Sequence, residues 1–376
     1  LEIILFLLVV FFLKTDGVAG NLLILIALGA FVYVTVIKTR MVQSTVMENA
    51  ANRKRSMSLG VVLILVLPLL FFDNPYILHI LTIALIYMIA AIGLNFQIGS
   101  AGMVNFAQST FLGVGSYTTA LLVTRIGLPF VVTLPAAIVL SGIFGLFLGY
   151  PALKTKSFYL SLVSIAFVYI AFLLVHNMQW TGGPNGISGI PKISIFGLEI
   201  GKTFDIGGLR VPGSMSYYYF VLIFVVIAII LANRFHKSWT GLSWNALKGD
   251  EIASECYGIN LTTTKLSAFV LGSIFAGVSG VLYAHFIGFV SPENMTFLLG
   301  VTFVSIVIFG GMDNILGIIV GTLILVIIPE KFRAFQDWRV FLYALILVTM
   351  LIFRPQGLIP YQVRKYRKFQ GDGNDS

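Results

Sequence analysis

Apolar positions along this chain fall into long unbroken runs, at residues 1–13, 22–37, 59–72, 76–98, 103–123, 127–150, 157–175, 216–232, 266–287, 296–311, 315–328 and 338–353. A helix needs ~20 predominantly apolar residues to cross a bilayer. The longer runs predict transmembrane helices, and the shorter ones predict half-helices or re-entrant segments. Between them lies one polar island, Trp239–Asn260. Inside it Ile252, Ala253, Cys256 and Tyr257 recur at i, i+1, i+4 and i+5, one face of a two-turn helix. Asp250 and Glu251 stand at its start, where the helix dipole favours anions, and Gly258 stands where a left-handed stop ends it. The expected fold is an all-α polytopic membrane protein that offers a short amphipathic helix to a soluble partner.

Composition supports the class. Of 376 residues, 58% are hydrophobic and 10% charged, far outside the soluble range. The net charge of +9 invites a nucleic-acid reading, but its distribution argues otherwise. Threading the runs alternately puts 38–58, 151–156, 233–265 and 354–376 on one side, which carries 16 of the 24 Lys and Arg. The positive-inside bias makes that side the cytoplasm and the C-terminus cytoplasmic. The basic balance is therefore a topology signal and a contact with membrane lipids, with no nucleic-acid partner expected. The single Cys256 excludes a disulfide within the chain. The first run, with no cationic stretch before it, does not read as a signal peptide.

Residues 1–58 read as an extension of extra membrane segments and a basic loop ending in Arg53-Lys54-Arg55. The working unit is 59–360, with a cytoplasmic loop at 233–265 and an extracytoplasmic loop at 176–215. Residues 361–376 read as a cytoplasmic tail whose last residues have a disordered composition. The 176–215 loop contains Thr181-Gly-Gly-Pro-Asn-Gly-Ile-Ser-Gly-Ile-Pro191, where Gly and Pro force tight turns. Two apolar stretches are interrupted by glycines, Gly99–Tyr117 and Gly310–Gly321. Paired interruptions, one per half, point to an inverted-repeat transporter with broken helices at mid-membrane. Small residues also let helices pack closely, and the two readings are compatible.

The chemistry is bounded by what the chain does not carry. Ion-coupled transporters hold ionisable groups inside the membrane. The core spans show no Asp, Glu, Lys or Arg away from their ends, leaving His79 and His285, read as neutral imidazoles between helices. No cluster with metal-ligand or hydrolase spacing stands out, so no catalytic or metal site is expected. Gly201-Lys202-Thr203 looks like the end of a phosphate loop, but Phe196 stands where its first glycine must be. The energy source is expected in another subunit.

These residues carry a family resemblance. The Thr181–Pro191 cluster, Ser291-Pro292 through Ile308-Phe-Gly-Gly-Met-Asp-Asn-Ile-Leu-Gly317, Ile328-Pro-Glu-Lys-Phe-Arg333 and Arg354-Pro-Gln-Gly-Leu-Ile-Pro360 together resemble the LivM-type permease subunit of branched-chain amino acid ABC importers. The likeness covers about residues 76–360. It implies a permease in a bacterial cytoplasmic (inner) membrane that imports branched-chain or related hydrophobic amino acids. The implied partners are a homologous, LivH-like second permease, two ABC ATPase subunits and a periplasmic (extracytoplasmic) amino-acid-binding protein. No cofactor is expected in this chain; ATP-Mg belongs to the partner subunits.

The resemblance also implies roles. Ile252-Ala253-Ser254-Glu-Cys-Tyr-Gly258 lies where importers carry a Glu-Ala-Ala-x-x-x-Gly coupling motif, although Ile252 and Ser254 depart from it. The ATPase-coupling helix is thus assigned Lys248, Asp250, Glu251, Ile252, Ala253, Glu255 and Gly258. Asn105, Gln108 and Ser109 are assigned to the substrate pathway, and Thr181, Gly182, Gly183, Asn185 and Gly186 to a docking loop for the binding protein. Asn105 and Gln108 stand where the family often has Ser and His, so a urea or amide permease stays open. A passive solute channel or facilitator stays open as well.

Overall fold

A computed structural model of the chain describes residues 65, 68–71, 74–152, 157–195, 198–206, 209–331, 344–345, 348, 352 and 357–359. The extension at 1–58 and the tail at 361–376 lie outside them. Among the described residues the chain forms ten helices: α1 Pro75–Asn95, α2 Gln108–Leu121, α3 Phe130–Ala152, α4 Ser157–Asn177, α5 Gly213–Lys237, α6 Trp239–Gly249, α7 Glu251–Cys256, α8 Leu261–Ile287, α9 Phe297–Gly310 and α10 Ile315–Lys331. Pro75–Ser100, Phe130–Tyr150, Tyr159–Asn177, Gly213–Lys237 and Leu261–Ile287 are long and apolar enough to cross a membrane. The helices α9 and α10 are shorter, as their run lengths predict, and α2 is shorter although its run is long enough to cross. The 103–123 run becomes helical only from Gln108, because residues 101–107 form a non-helical connection.

Helix ends follow local chemistry. Pro75 opens α1 with its missing N–H, and the Asn74 side chain accepts from Ile77 N. Asn260 caps α8 by accepting from Thr263 N, and Gly288, at φ 74°, stops it. The basic last turn of α5, with Arg234, His236 and Lys237, suits the negative end of its dipole. Helix therefore runs further than composition alone suggests, and the polar loop shortens from 233–265 to 238–260.

The bundle is organised around α1 and α8, which run antiparallel. Gln97 Nε2 donates to Phe269 O, Ser279 Oγ donates to Ile86 O, and the His79 ring stacks on Phe286. Close approach comes from small residues. A Cβ added at Gly115 of α2 would lie 2.2 Å from Gly277 O of α8, and one at Gly280 would lie 2.0 Å from Leu112 O. The helix α3 lies along α8 in the same manner, with Gly145 against Ser273 and Gly149 against Phe269. In contrast, α4 turns Tyr159, Leu162, Tyr169, Ile170, Leu173 and Leu174 outward.

The order of elements repeats. The long helix α1 ends in a π turn, Phe96–Ser100, passes through the non-helical residues 101–107 and resumes as the 14-residue α2. The long helix α8 ends at Gly288, passes through strand β6 (Phe289–Val290) and a 3-10 turn, Pro292–Met295, and resumes as the 14-residue α9. Because α1 and α8 are antiparallel, the two units are inverted. The sequence pairs Gly99–Tyr117 with Gly310–Gly321, whereas the structure pairs it with Gly288–Gly300. Gly310 and Gly317 instead close the turn between α9 and α10, where a Cβ on either would meet the other's backbone within 2.3 Å.

One end of the bundle carries α6 and α7, and the other carries short strands. The strand end holds β1 (Ile187–Ser188), β2 (Ser194–Ile195), β3 (Leu198–Glu199), β4 (Phe204–Ile206) and β5 (Leu209–Val211). β1 pairs antiparallel with β6, β2 with β3, and β4 with β5. Gly201-Lys202-Thr203 falls among these hairpins, with no helix following to receive a phosphate.

Candidate functional site

A broken helix inside a bilayer must find partners for its freed backbone groups. Around residues 96–108 they come from side chains of α4 and α6 and from the break itself. Met103 N donates to Gln97 O, Phe106 N to Ser164 Oγ of α4, and Ala107 N to Asn105 Oδ1. Ser161 Oγ donates to Val104 O, and Lys248 Nζ, from α6, donates to Gly99 O at 2.7 Å. An amide ladder then fastens the break to its neighbours. Asn105 Nδ2 donates to Gln97 Oε1 at 2.6 Å, and Gln108 Nε2 donates to Ala90 O and to Gly272 O of α8. Asn105, Gln97 and Gln108 are fully buried.

At the end bearing α6 and α7 the break meets a second polar cluster. Ser100 Oγ donates to Asp313 Oδ1 at 2.7 Å and lies 3.2 Å from His236 Nδ1. His236 Nδ1 is 3.5 Å from the same carboxylate oxygen. Asp313 N donates to Asn95 Oδ1 at 2.8 Å. The cluster joins the end of α1, the last turn of α5 and the α9–α10 turn, all buried. Asp313 sits at φ 64°, a left-handed position that an aspartate tolerates better than most residues. The serine hydroxyl donates to the carboxylate, and both groups face Nδ1 of the imidazole.

The polar island folds as two helices. The helix α6 is anchored by fully buried Trp244, whose Nε1 donates to Thr264 O and Ser267 Oγ of α8 and whose ring meets Phe96. Asp250 separates the two helices and caps α7, accepting from Ile252 N and Ala253 N. Gly258 follows at φ 80°, the left-handed stop. Glu251 pairs with the buried Lys265 Nζ at 2.8 Å, which ties α7 to α8. Ile252 is 76% exposed and Tyr257 89%, with Ala253 and Cys256 beside them, while Ser254 faces inward. A groove lined by Glu251, Glu255, Asn260, Thr262 and Lys265 runs between α7 and α8.

At the strand end the glycine-rich loop is knitted by its own backbone. Thr181 Oγ1 donates to Val175 O and Met178 O. A Cβ at Gly182 would strike Gly186 O at 2.0 Å, and one at Gly186 would strike Val290 O at 2.1 Å. Arg125 reaches Trp180 O from the end of the second helix. Asn185 and Pro184 remain on the surface.

Comparison with known proteins decides the family. The family described as "Branched-chain amino acid transport system / permease component" matches residues 76–353, most of the chain. The chain belongs to this permease family. It is similar to the high-affinity branched-chain amino acid transport system permease protein LivM of Escherichia coli (strain K12), at 36% identity over 320 residues, covering 82% of this chain and 75% of that one. Similarity to LivM of Salmonella typhimurium is 37% over 294 residues, covering 75% and 69%. LivH of Escherichia coli (strain K12) is 22% identical over 291 residues, covering 74% and 92%. No solved structure matches. The chain is thus a multi-pass, all-α membrane permease, and its relatives are permease subunits of a transport system.

Within this permease the candidate residues separate by position. Ile252 and Ala253 lie on the open face of α7 and Glu255 at its groove, whereas Lys248, Asp250 and Glu251 have partners within the chain. Asn105 spends its amide group on the break, and Gln108 gives its Nε2 to α1 and α8. Ser109 Oγ and Gln108 Oε1 have no hydrogen-bond partner among the described residues. Ser109 sits against the first turn of α9, 3.4 Å from where a Cβ on Gly300 would be, beside the Phe106–Phe297 ring contact. The starts of α2 and α9 therefore meet inside the bundle. Sequence reasoning missed Ser100, His236 and Asp313, each at a run's end where a polar residue reads as solvated. His285, expected as a neutral hydrogen-bonded imidazole, meets Pro191 O through Nδ1 at 2.8 Å.

Proposed function

We propose that this chain is the membrane-spanning subunit of an ATP-driven ABC importer that moves branched-chain or related hydrophobic amino acids into the cytoplasm. The observation that carries the reading is the open face of α7. Ile252 and Tyr257 project from a capped helix with most of their surface in solvent, which suits a face made to be covered. Ile252, Ala253 and Tyr257 then fill the groove of an ATPase subunit, with Glu255 at its rim, while Asp250, Glu251 and Gly258 hold the helix at its angle. A passive pore has no use for such a helix.

In this reading the α6–α7 end is cytoplasmic, the C-terminus lies on the same side, and the membrane is a bacterial inner membrane. The relatives named LivM and LivH support pairing with a homologous second permease, two ATPase subunits and an extracytoplasmic binding protein that meets Gly182 and Asn185 at the strand end. ATP-Mg is bound by the ATPases, and this chain performs no bond chemistry. Helix N-termini carry partial positive charge, so the meeting point of α2 and α9 suits the carboxylate of a zwitterion whose tail needs only an apolar wall. Ser109 is the polar side chain assigned to that passage; Asn105 and Gln108 shape it.

Reconstitution tests the proposal. The chain alone in liposomes is expected neither to hydrolyse ATP nor to concentrate leucine, and both activities appear when the second permease, ATPases and binding protein are added. Uphill uptake by the lone chain under any ion gradient would overturn it. Sidedness has its own test, because Cys256 is free and exposed. An impermeant maleimide is expected to label it in inside-out vesicles and to spare it in right-side-out ones, with less labelling once the ATPase is present. Labelling from the outside reverses the topology.

A further inference from the structure

We infer that Lys248 is a positioning residue that transmits movement of α7 to the broken helix; the inference rests on the ATP-driven reading above. The carbonyls at a helix C-terminus lack intrahelical donors and carry partial negative charge. Gly99 O belongs to the π turn that ends the first long helix, and the Lys248 ammonium occupies that carbonyl at 2.7 Å. The stem of the same lysine lies on Gly102, where the chain turns through a left-handed φ of 71°: a Cβ built there would be 3.1 Å from Lys248 Cγ and 3.5 Å from its Cβ. One side chain from the polar loop thus touches the break at Gly99 and at Gly102.

The contacts continue on each side of Lys248. The next residue after Gly99 is Ser100, which donates to Asp313 Oδ1 and approaches His236 Nδ1, while Asn95 Oδ1 takes Asp313 N. On the other side Lys248 stands in the last turn of α6, and Asp250 then starts α7 without an intervening linker. A shift of α7 that draws α6 along pulls the ammonium from Gly99 O and leaves that carbonyl without its donor. Trp244 and Glu251 fasten α6 and α7 to α8, and Trp244 also packs on Phe96, so Lys248 supplies the loop's hydrogen bond to the break rather than its anchor.

The test uses two readouts on Lys248→Met, which keeps an unbranched stem and loses the donor, and on Lys248→Arg, which restores one. In the isolated full-length chain, hydrogen exchange at residues 99–107 is expected to quicken about tenfold or more in the methionine variant, with α8 unchanged and arginine restoring protection. In the reconstituted complex, Lys248→Met is expected to assemble with the ATPase subunits. Stimulation by the loaded binding protein, and uptake, are expected to fall about tenfold, and arginine recovers them. Unchanged exchange in the methionine variant, or stimulation and uptake equal to the unsubstituted complex, overturns the inference. If the unsubstituted complex shows no ATP-dependent uptake, the importer reading fails instead, and the exchange experiment still decides whether Lys248 positions the break.

Discussion

A single methyl group at Gly115 is expected to lower this permease's melting temperature by several degrees. The added Cβ would sit 2.2 Å from Gly277 O and 2.7 Å from Gly277 Cα, so backbone faces backbone and no side chain is present to yield. Either α2 must move off α8 or the chain must strain, and overpacking of this kind costs on the order of 1–3 kcal/mol or more. The matched control is Gly142→Ala in α3, where the nearest atom is a flexible Ile274 carbon at 3.6 Å, an ordinary contact. There the helix gains propensity, about 0.5–1 kcal/mol relative to glycine. In detergent, Gly115→Ala should give a much smaller monodisperse peak and a melting temperature several degrees lower. Gly142→Ala should match the unsubstituted protein or exceed it. Equal behaviour of the two variants would show that α2 and α8 do not cross here.

The second large effect concerns function with folding left intact. Ala253 is the third residue of α7, exposed, and in the first turn, where the helix dipole accepts an anion. Ala253→Asp therefore leaves the isolated chain undisturbed. Against an ATPase groove the same carboxylate loses its water without gaining a partner, a penalty of about 3–5 kcal/mol, or roughly 100-fold or more in complex stability. The variant is expected to reach the membrane at normal abundance and to lose substrate-stimulated ATP hydrolysis and uptake together. Ser254→Ala, whose hydroxyl only bonds Asp250 O within the same helix, changes little. Transport at the unsubstituted rate by Ala253→Asp, with the complex intact, would make α7 a surface element and nothing more.

How much of this was legible in the sequence depended on whether a residue's role is set locally. Pro75, Asp250, Gly258 and the apolar runs act through their own backbone, and the helices begin and end close to where those residues place them. The face of α7 was readable for the same reason, although the helix proved to be six residues rather than two full turns. The strands were not readable. β1 pairs with β6 across most of the chain's second half, and a two-residue strand has no periodicity to detect. The Ser100, His236 and Asp313 cluster was hidden because burial there comes from three segments distant in sequence. Lys248 and Glu251 looked like solvent-facing charges until the fold supplied Gly99 O and Lys265. Asn105 and Gln108 looked like a path for substrate because an amide in an apolar run demands a partner, and sequence does not say whether that partner is a ligand or the chain itself.

The partners of the break have a consequence for how the protein is made. Gln97 waits for Phe269 O, Gln108 for Gly272 O, Gly99 O for Lys248 and Asn95 for Asp313, so every one of these bonds joins an early segment to a late one. During synthesis the first long helix must enter the bilayer, or be kept at its edge, long before the residues that complete it have left the ribosome. Until α8 arrives, the nascent chain carries unsatisfied amides and an interrupted backbone that lipid cannot solvate. The N-terminal half is thus not a folding unit of its own. A chain that stops before α8 is therefore expected to leave Gln97 without Phe269 O and Gln108 without Gly272 O.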